Sequence, residues 1–211
     1  MLNKKGGVMK FSFKYLFIIF FLFSNSLFSL DSEKAKSFVI DIGNQAIKIL
    51  KIPVDDKQKR KNELQNLLQE KFDMKLISKV ILGSEVTKNA SAEQLNKFSE
   101  VFELHIVKIY SSQLGTYKGQ VFTVNNTEIK KKDAFVYSTI ESPDYPTTNI
   151  VWRIRERKDI PKVIDMQVEG VSLLRTKKND FAMILGQIGL DGLINKLDQM
   201  NQISDLKIPG E

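Results

Sequence analysis

Few residues in this 211-residue chain have the types and spacing that covalent chemistry needs. The single histidine, His105, lies inside an apolar run at helical spacing, where an imidazole is more readily a core or pocket-edge residue than a general base. There is no cysteine, no His-Glu-x-x-His pair and no cluster of aspartates, so the common metal-ligand sets are missing. A Gly-x-Ser-x-Gly nucleophile turn and a glycine-rich phosphate loop are absent too. The adjacent carboxylates Asp55 and Asp56 stand in a strongly charged stretch and read as solvated surface. These residues argue against an enzyme, a resident cofactor and a metal.

A formal charge of +7 invites a nucleic-acid partner, but Lys4, Lys5, Lys10 and Lys14 lie in the first 29 residues, which hold no acid. The remainder carries 28 basic against 25 acidic residues, an ordinary balance for a soluble domain. Lys130-Lys131-Lys132 and Arg153–Lys158 are basic, yet acids flank both and the aromatics sit mostly on apolar faces. Nucleic acid is therefore not expected as a partner.

What remains is apolar surface. Phe98, Phe102, Ile106 and Tyr110 recur at spacings of four and share a helix face. Ile164, Met166 and Val168 alternate with polar residues, and Trp152 and Ile154, with Ile150, recur at every second position, as residues on one face of a strand do. The strand faces are candidates to oppose the helix face. Periodicity alone leaves open whether the space between them is a filled core or an apolar cavity.

The elements that must position these residues follow from the same patterns. Residues 31–50 read as a helix closed by Pro53, residues 55–71 as a charged surface helix, and residues 72–83 as a third helix with Gly83 as its C-cap. Ser91 with Gln94 makes a capping signal for the longest helix, which runs through Tyr117. Beyond Gly119 the period switches to two. Val121–Val124, Ala134–Ile140, Ile150–Arg155 and Val163–Val168 give four strands, separated by Asn125-Asn126, a Pro143–Pro146 loop and an Asp159-Ile160-Pro161 turn. From Asn179 the chain returns to helix, with Phe181 and Ile184 on the apolar side and a break at Gly189-Leu190-Asp191-Gly192. The expected fold is α+β: an antiparallel four-stranded sheet packed against a bundle of helices.

Ahead of this single domain stand a basic stretch ending at Lys14, nine apolar residues from Tyr15 to Phe23, and then small residues through Ser29. That is the layout of a secretory signal peptide, with cleavage after Ser26 or Ser29, and Met9 would also serve as a start. The apolar run falls short of the roughly 20 residues a spanning helix needs. No cysteine follows it, so a lipoprotein anchor is not expected, and an exported domain without disulfides must rely on its core. The expected domains are residues 1–29 as signal peptide, 30–200 as the folded domain and 201–211 as a frayed tail.

Specific residues carry a family likeness. Val80-Ile81-Leu82-Gly83, Ala90-Ser91-Ala92-Glu93-Gln94, Phe98, Phe102 and Tyr110 resemble the middle of the MlaC, or toluene-tolerance, family of periplasmic phospholipid-binding proteins. Asp165-Met166-Gln167-Val168-Glu169-Gly170-Val171-Ser172, followed by Phe181 and Gly189-Leu190-Asp191-Gly192-Leu193, resembles that family's closing signatures. The likeness covers roughly Phe38 to Leu197, although Glu85-Val86 and Lys177-Lys178 depart from the family pattern. It implies a monomeric periplasmic shuttle that carries a phospholipid between an inner-membrane ABC transporter complex and an outer-membrane complex of lipoprotein and porin. It also implies an apolar pocket between sheet and helices for the acyl chains, with Phe98, Phe102, Ile106, Tyr110, Trp152, Ile154, Ile164, Met166, Val168, Val171, Phe181 and Ile184 as candidate lining. The alternative is an envelope adaptor of the same fold that carries no lipid.

Overall fold

The computed structural model describes residues 30–203. The expected signal peptide lies outside them, as does the tail beyond Ile203. Four helices come first: α1 (Ser32–Leu50), α2 (Lys57–Lys71), α3 (Met74–Asn89) and α4 (Ala92–Gln113). Each starts on a side-chain cap, Asp31, Asp56, Asp73 or Ser91, that accepts a hydrogen bond from a backbone N–H three residues on. At Ser91 the cap's own N–H donates in return to the Gln94 side-chain oxygen, completing a capping box. Strands β1 (Val121–Lys130), β2 (Asp133–Ser142), β3 (Tyr145–Arg157), β4 (Ile160–Val168) and the two-residue β5 (Val171–Ser172) follow, and α5 (Leu173–Gln202) ends the described chain.

The strands form an antiparallel meander in the order β1-β2-β3-β4-β5. The fold is the expected α+β arrangement, with five strands where the alternation gave four. Its fifth strand is too short to show a period: Glu169 (φ 49°) and Gly170 (φ 77°) turn the chain tightly, and Val171 and Ser172 pair straight back with Val168 and Gln167.

Other differences have local causes. Asn125-Asn126 does not end β1, because Asn125 is absorbed as a bulge between Val124 and Asn126 and pairing with β2 resumes beyond it. The chain turns instead at Lys131-Lys132. The β3–β4 turn is Lys158-Asp159, both at positive φ, so Ile160 and Pro161 already belong to β4. Pro146 lies in β3 but beyond the end of β4, where its missing N–H costs no pairing. Helix α4 ends at Gln113, and Leu114 leaves it to pack against the buried cluster that joins α1 to the sheet. Helix α5 begins at Leu173, capped by Ser172 and six residues ahead of Asn179, since the run Arg175–Asn179 is polar throughout and has no apolar period to read. Gly83 (φ 81°) and Gly189 (φ 68°) break α3 and α5 where expected, though helical turns resume directly beyond each.

Apolar burial divides in two. A sheet cluster joins α1 and Leu67 of α2 to Ala134, Val136, Ile150, Trp152, Ile154 and Val163. A helix cluster joins Met74, Ile81 and Leu82 of α3, Phe98, Val101 and Phe102 of α4, and Phe181, Leu193, Ile194 and Leu197 of α5. A domain of this size ordinarily closes one contiguous core. Among the described residues, Phe72, between α2 and α3, is the side chain that packs against both clusters.

Candidate functional site

The join between the two clusters is built from a short linker and an irregular strand. Residues Phe72 and Asp73 connect α2 to α3, and Phe72 makes an isolated parallel bridge to Val163 while the Asp73 N–H donates to the Val163 carbonyl at 3.0 Å. Strand β4 is bulged at that point: Arg153 pairs with Asp165 but Ile154 pairs with Val163, leaving Ile164 as the extra residue. Strand β4 is also where α2, α3 and α5 approach the sheet. The bulge places Val163 opposite Ile154 in the sheet cluster, so Ile164, expected on that face by strict alternation, is buried outside both clusters.

The twelve candidate lining residues therefore do not converge on one place. Phe98, Phe102 and Phe181 are buried together in the helix cluster, with Ile106 and Ile184 packed against them. The first two rings stack at 5.8 Å, and the Phe181 ring meets them edge-on at 6.3 and 5.9 Å. Trp152 and Ile154 lie in the sheet cluster, with Met166 against it. Tyr110 and Val168 are half-buried and belong to neither, while Val171 at the β4–β5 turn is 57% exposed and stands in the solvent.

The Asp165–Ser172 signature is explained by this turn. The Asp165 carboxylate accepts from the Met166 N–H at 2.8 Å, the Leu174 N–H at 3.2 Å and the Ser172 hydroxyl at 2.8 Å. Ser172 Oγ in turn accepts from the Arg175 N–H and caps α5. The Glu169 carboxylate accepts from the Asn149 N–H at 2.5 Å, tying the turn to β3. These side chains fix the angle at which α5 leaves the sheet, and so where Phe181 enters the helix cluster.

Directly outside Phe72 lies a cleft of about 620 Å³. The α2–α3 junction lines it with Phe72, Asp73 and Met74, α4 gives Asn96, Ser99, Glu100 and Glu103, and the β3–β4 hairpin gives Arg155, Arg157, Ile160 and Lys162. Sequence reading missed this cleft and the role of Phe72. The aromatic was visible as a helix start, but nothing in a linear pattern pairs a linker residue with a bulge 91 positions later.

Charge around the cleft is partly spent on the fold. Asp133, almost fully buried, is held below the usual carboxylate range: burial opposes this, but hydrogen bonds from Arg155 and Arg153 outweigh it. Arg157 stands 3.6 Å from Asp73, and Lys162 donates to the Gln69 and Glu70 carbonyls that end α2. Glu103 accepts from Gln69 at 2.6 Å. His105 is buried on α4, its Nδ1 without a partner among the described residues, and burial together with the neighbouring Lys177 and Lys108 pushes its pKa down. Among the described residues no group of three or more His, Cys, Asp or Glu could hold a metal, and no helix is long and apolar enough to cross a membrane.

Comparison with known proteins agrees with this architecture. A family model described as MlaC protein matches residues 41–199. Among solved structures, the chain resembles a phospholipid-binding protein from Ralstonia solanacearum in complex with a phospholipid, at 21% identity and a TM-score of 0.69. That match covers 79% of this chain and 96% of the other.

Proposed function

The chain belongs to the MlaC protein family, and from that premise we propose that it is a periplasmic phospholipid-binding shuttle. It carries one lipid between an inner-membrane ABC transporter complex and an outer-membrane lipoprotein and porin complex, and performs no chemistry on it. The signal-peptide pattern of residues 1–29 supports the compartment. The observation that carries the reading is the divided core: two apolar clusters of one small domain meet through Phe72, on a fold shared with a lipid-loaded protein. In this reading the acyl chains part the clusters along that join, with the Phe98, Phe102 and Phe181 face on one side and the Trp152, Ile154 and Met166 face on the other.

Energetics shape the mechanism. At about 0.8 kcal/mol per methylene, two chains of roughly 30 methylenes gain on the order of 24 kcal/mol relative to water, so the lipid does not leave unaided. A bilayer offers nearly the same burial, which makes exchange with a membrane complex close to balanced. Direction then has to come from a partner that spends ATP. The close packing of Phe98, Phe102 and Phe181 is what the second reading, an envelope adaptor with a filled core, would also have.

Native mass spectrometry of the mature protein, as purified and after incubation with phospholipid vesicles, separates the two readings. A bound mass equal to one phospholipid is expected. Protein that neither co-purifies with lipid nor takes it up is the adaptor.

A further inference from the structure

The cleft outside Phe72 has a composition that its structural contacts do not use up. Of its cations, Arg155 is committed to Asp133 and Lys162 to the end of α2. Lys75, in the first turn of α3, and Glu100, on the facing side of α4, both line the cleft and have no ion-pair partner among the described residues. A lysine in the first turn of a helix works against the helix dipole, so Lys75 gains nothing locally from its place. The Arg157 side chain is 59% exposed and reaches Asp73 only at 3.6 Å. The open cleft thus presents cationic groups, Lys75 and Arg157, and anionic groups, Glu100 and Glu103, beside the apolar side chains of Phe72, Met74 and Ile160, with Asp73 facing Arg157.

A purely anionic ligand would meet the two glutamates and a purely cationic one the lysine and arginine. A ligand bearing both charges a few ångströms apart, with an apolar continuation, meets all of them. We propose that this cleft seats a zwitterionic phosphoethanolamine headgroup, phosphate toward Lys75 and Arg157 and ammonium toward Glu100 and Glu103. The glycerol then stands at Phe72 and Met74, where the chains pass between the clusters. This rests on the lipid-shuttle reading and adds to it a headgroup preference and the residues that set it. The volume of about 620 Å³ lies within the range of small-molecule sites.

The experiment offers delipidated full chain to vesicles of equimolar phosphatidylethanolamine and phosphatidylglycerol with identical acyl chains, and counts the lipids bound by native mass spectrometry. Wild type should take phosphatidylethanolamine in preference by about fivefold, what two exposed charge pairs can supply. Glu100→Gln, which removes no structural bond, should lower that ratio, and Glu100→Lys should bring it to parity or invert it. An unaltered ratio at unaltered loading overturns the headgroup seat and leaves the shuttle standing, whereas wild type that takes up neither lipid overturns both. Excess glycerophosphoethanolamine should leave bound lipid in place. If it displaces the lipid, the cleft is a site for a soluble phosphodiester and the proposal fails.

Discussion

Replacing Phe102 with alanine tests the packing of the helix cluster and its relation to lipid together. The ring is 2% exposed and touches Phe98 and Phe181 at centroid distances of 5.8 and 5.9 Å. Truncating a buried phenylalanine costs about 3–5 kcal/mol, a figure that includes the lost ring contacts and the cavity left behind. For a domain of this size about 4 kcal/mol corresponds to a fall in Tm of about 8–16 °C. The assay is urea unfolding of lipid-stripped protein followed in two ways. The one tryptophan, Trp152, reports the sheet cluster, while far-ultraviolet circular dichroism is dominated by the helices. If the clusters unfold as one unit, both transitions move together. If the join at Phe72 is weak, the helical transition moves first and the fluorescence transition lags. A loss below about 1 kcal/mol in the stripped protein would refute the packing argument, because no close-packed phenylalanine is that dispensable. Lipid-loaded Phe102→Ala should recover part of the loss if an acyl chain fills the vacated space, and should recover none if the cluster is sealed.

Three further substitutions test particular contacts. Gly43→Ala should destabilise by about 1–3 kcal/mol in chemical unfolding, since its Cβ would fall within the Phe122 ring, which is itself held edge-on against Trp152. Asp133 has a folded pKa below its unfolded value of about 3.9, so its ion pairs stabilise above that pH and are lost as pH falls through the folded value. Urea midpoints measured from pH 5 down to pH 2 should therefore decline more steeply in wild type than in Asp133→Asn, which starts less stable. His105 also has a lowered folded pKa. Its contribution is complete above about pH 6.5 and shrinks below it as the unfolded chain takes up the proton first. His105→Gln should flatten the stability decline between pH 7 and pH 5.

Where a local rule decides an element, the sequence made it legible. The Ser91 and Gln94 capping pair, the breaks at Gly83 and Gly189 and the period-2 strands all depend on residues within a few positions of each other. What stayed hidden depends on partners far along the chain. Asn125 looks like a turn residue and becomes a bulge only because β2 pairs on both sides of it. Ile164 alternates correctly with Met166, yet the bulge opposite Arg153 and Ile154 hands its place to Val163. Val171 lies within a family signature, and a tight turn leaves it in solvent. The candidate lining is the least legible part, since Phe98, Phe102 and Ile106 go to one cluster and Trp152, Ile154 and Met166 to the other, a division with no trace in either pattern.

That division bears on how a carrier could release its cargo. Burial of acyl chains is worth nearly as much in a bilayer as in a protein, so the difference that lets lipid move lies in what the protein itself gains or loses. A single contiguous core would have to be broken to admit two chains, at several kcal/mol for each large side chain exposed. Two clusters that are each closed on their own, by ring packing in one and by the sheet in the other, can part with less. The costs fall on Phe72, on the hydrogen bond from Asp73 to Val163 and on polar links between the two sides such as Gln69 with Glu103 and Arg157 with Asp73. Phe72→Leu keeps an apolar plug of smaller area. Under the shuttle reading it should speed lipid exchange with vesicles, followed by fluorescence of a labelled lipid, while leaving the unfolding free energy within about 1.5 kcal/mol of wild type. Unchanged exchange, with the fold intact, would show that the chains do not pass Phe72.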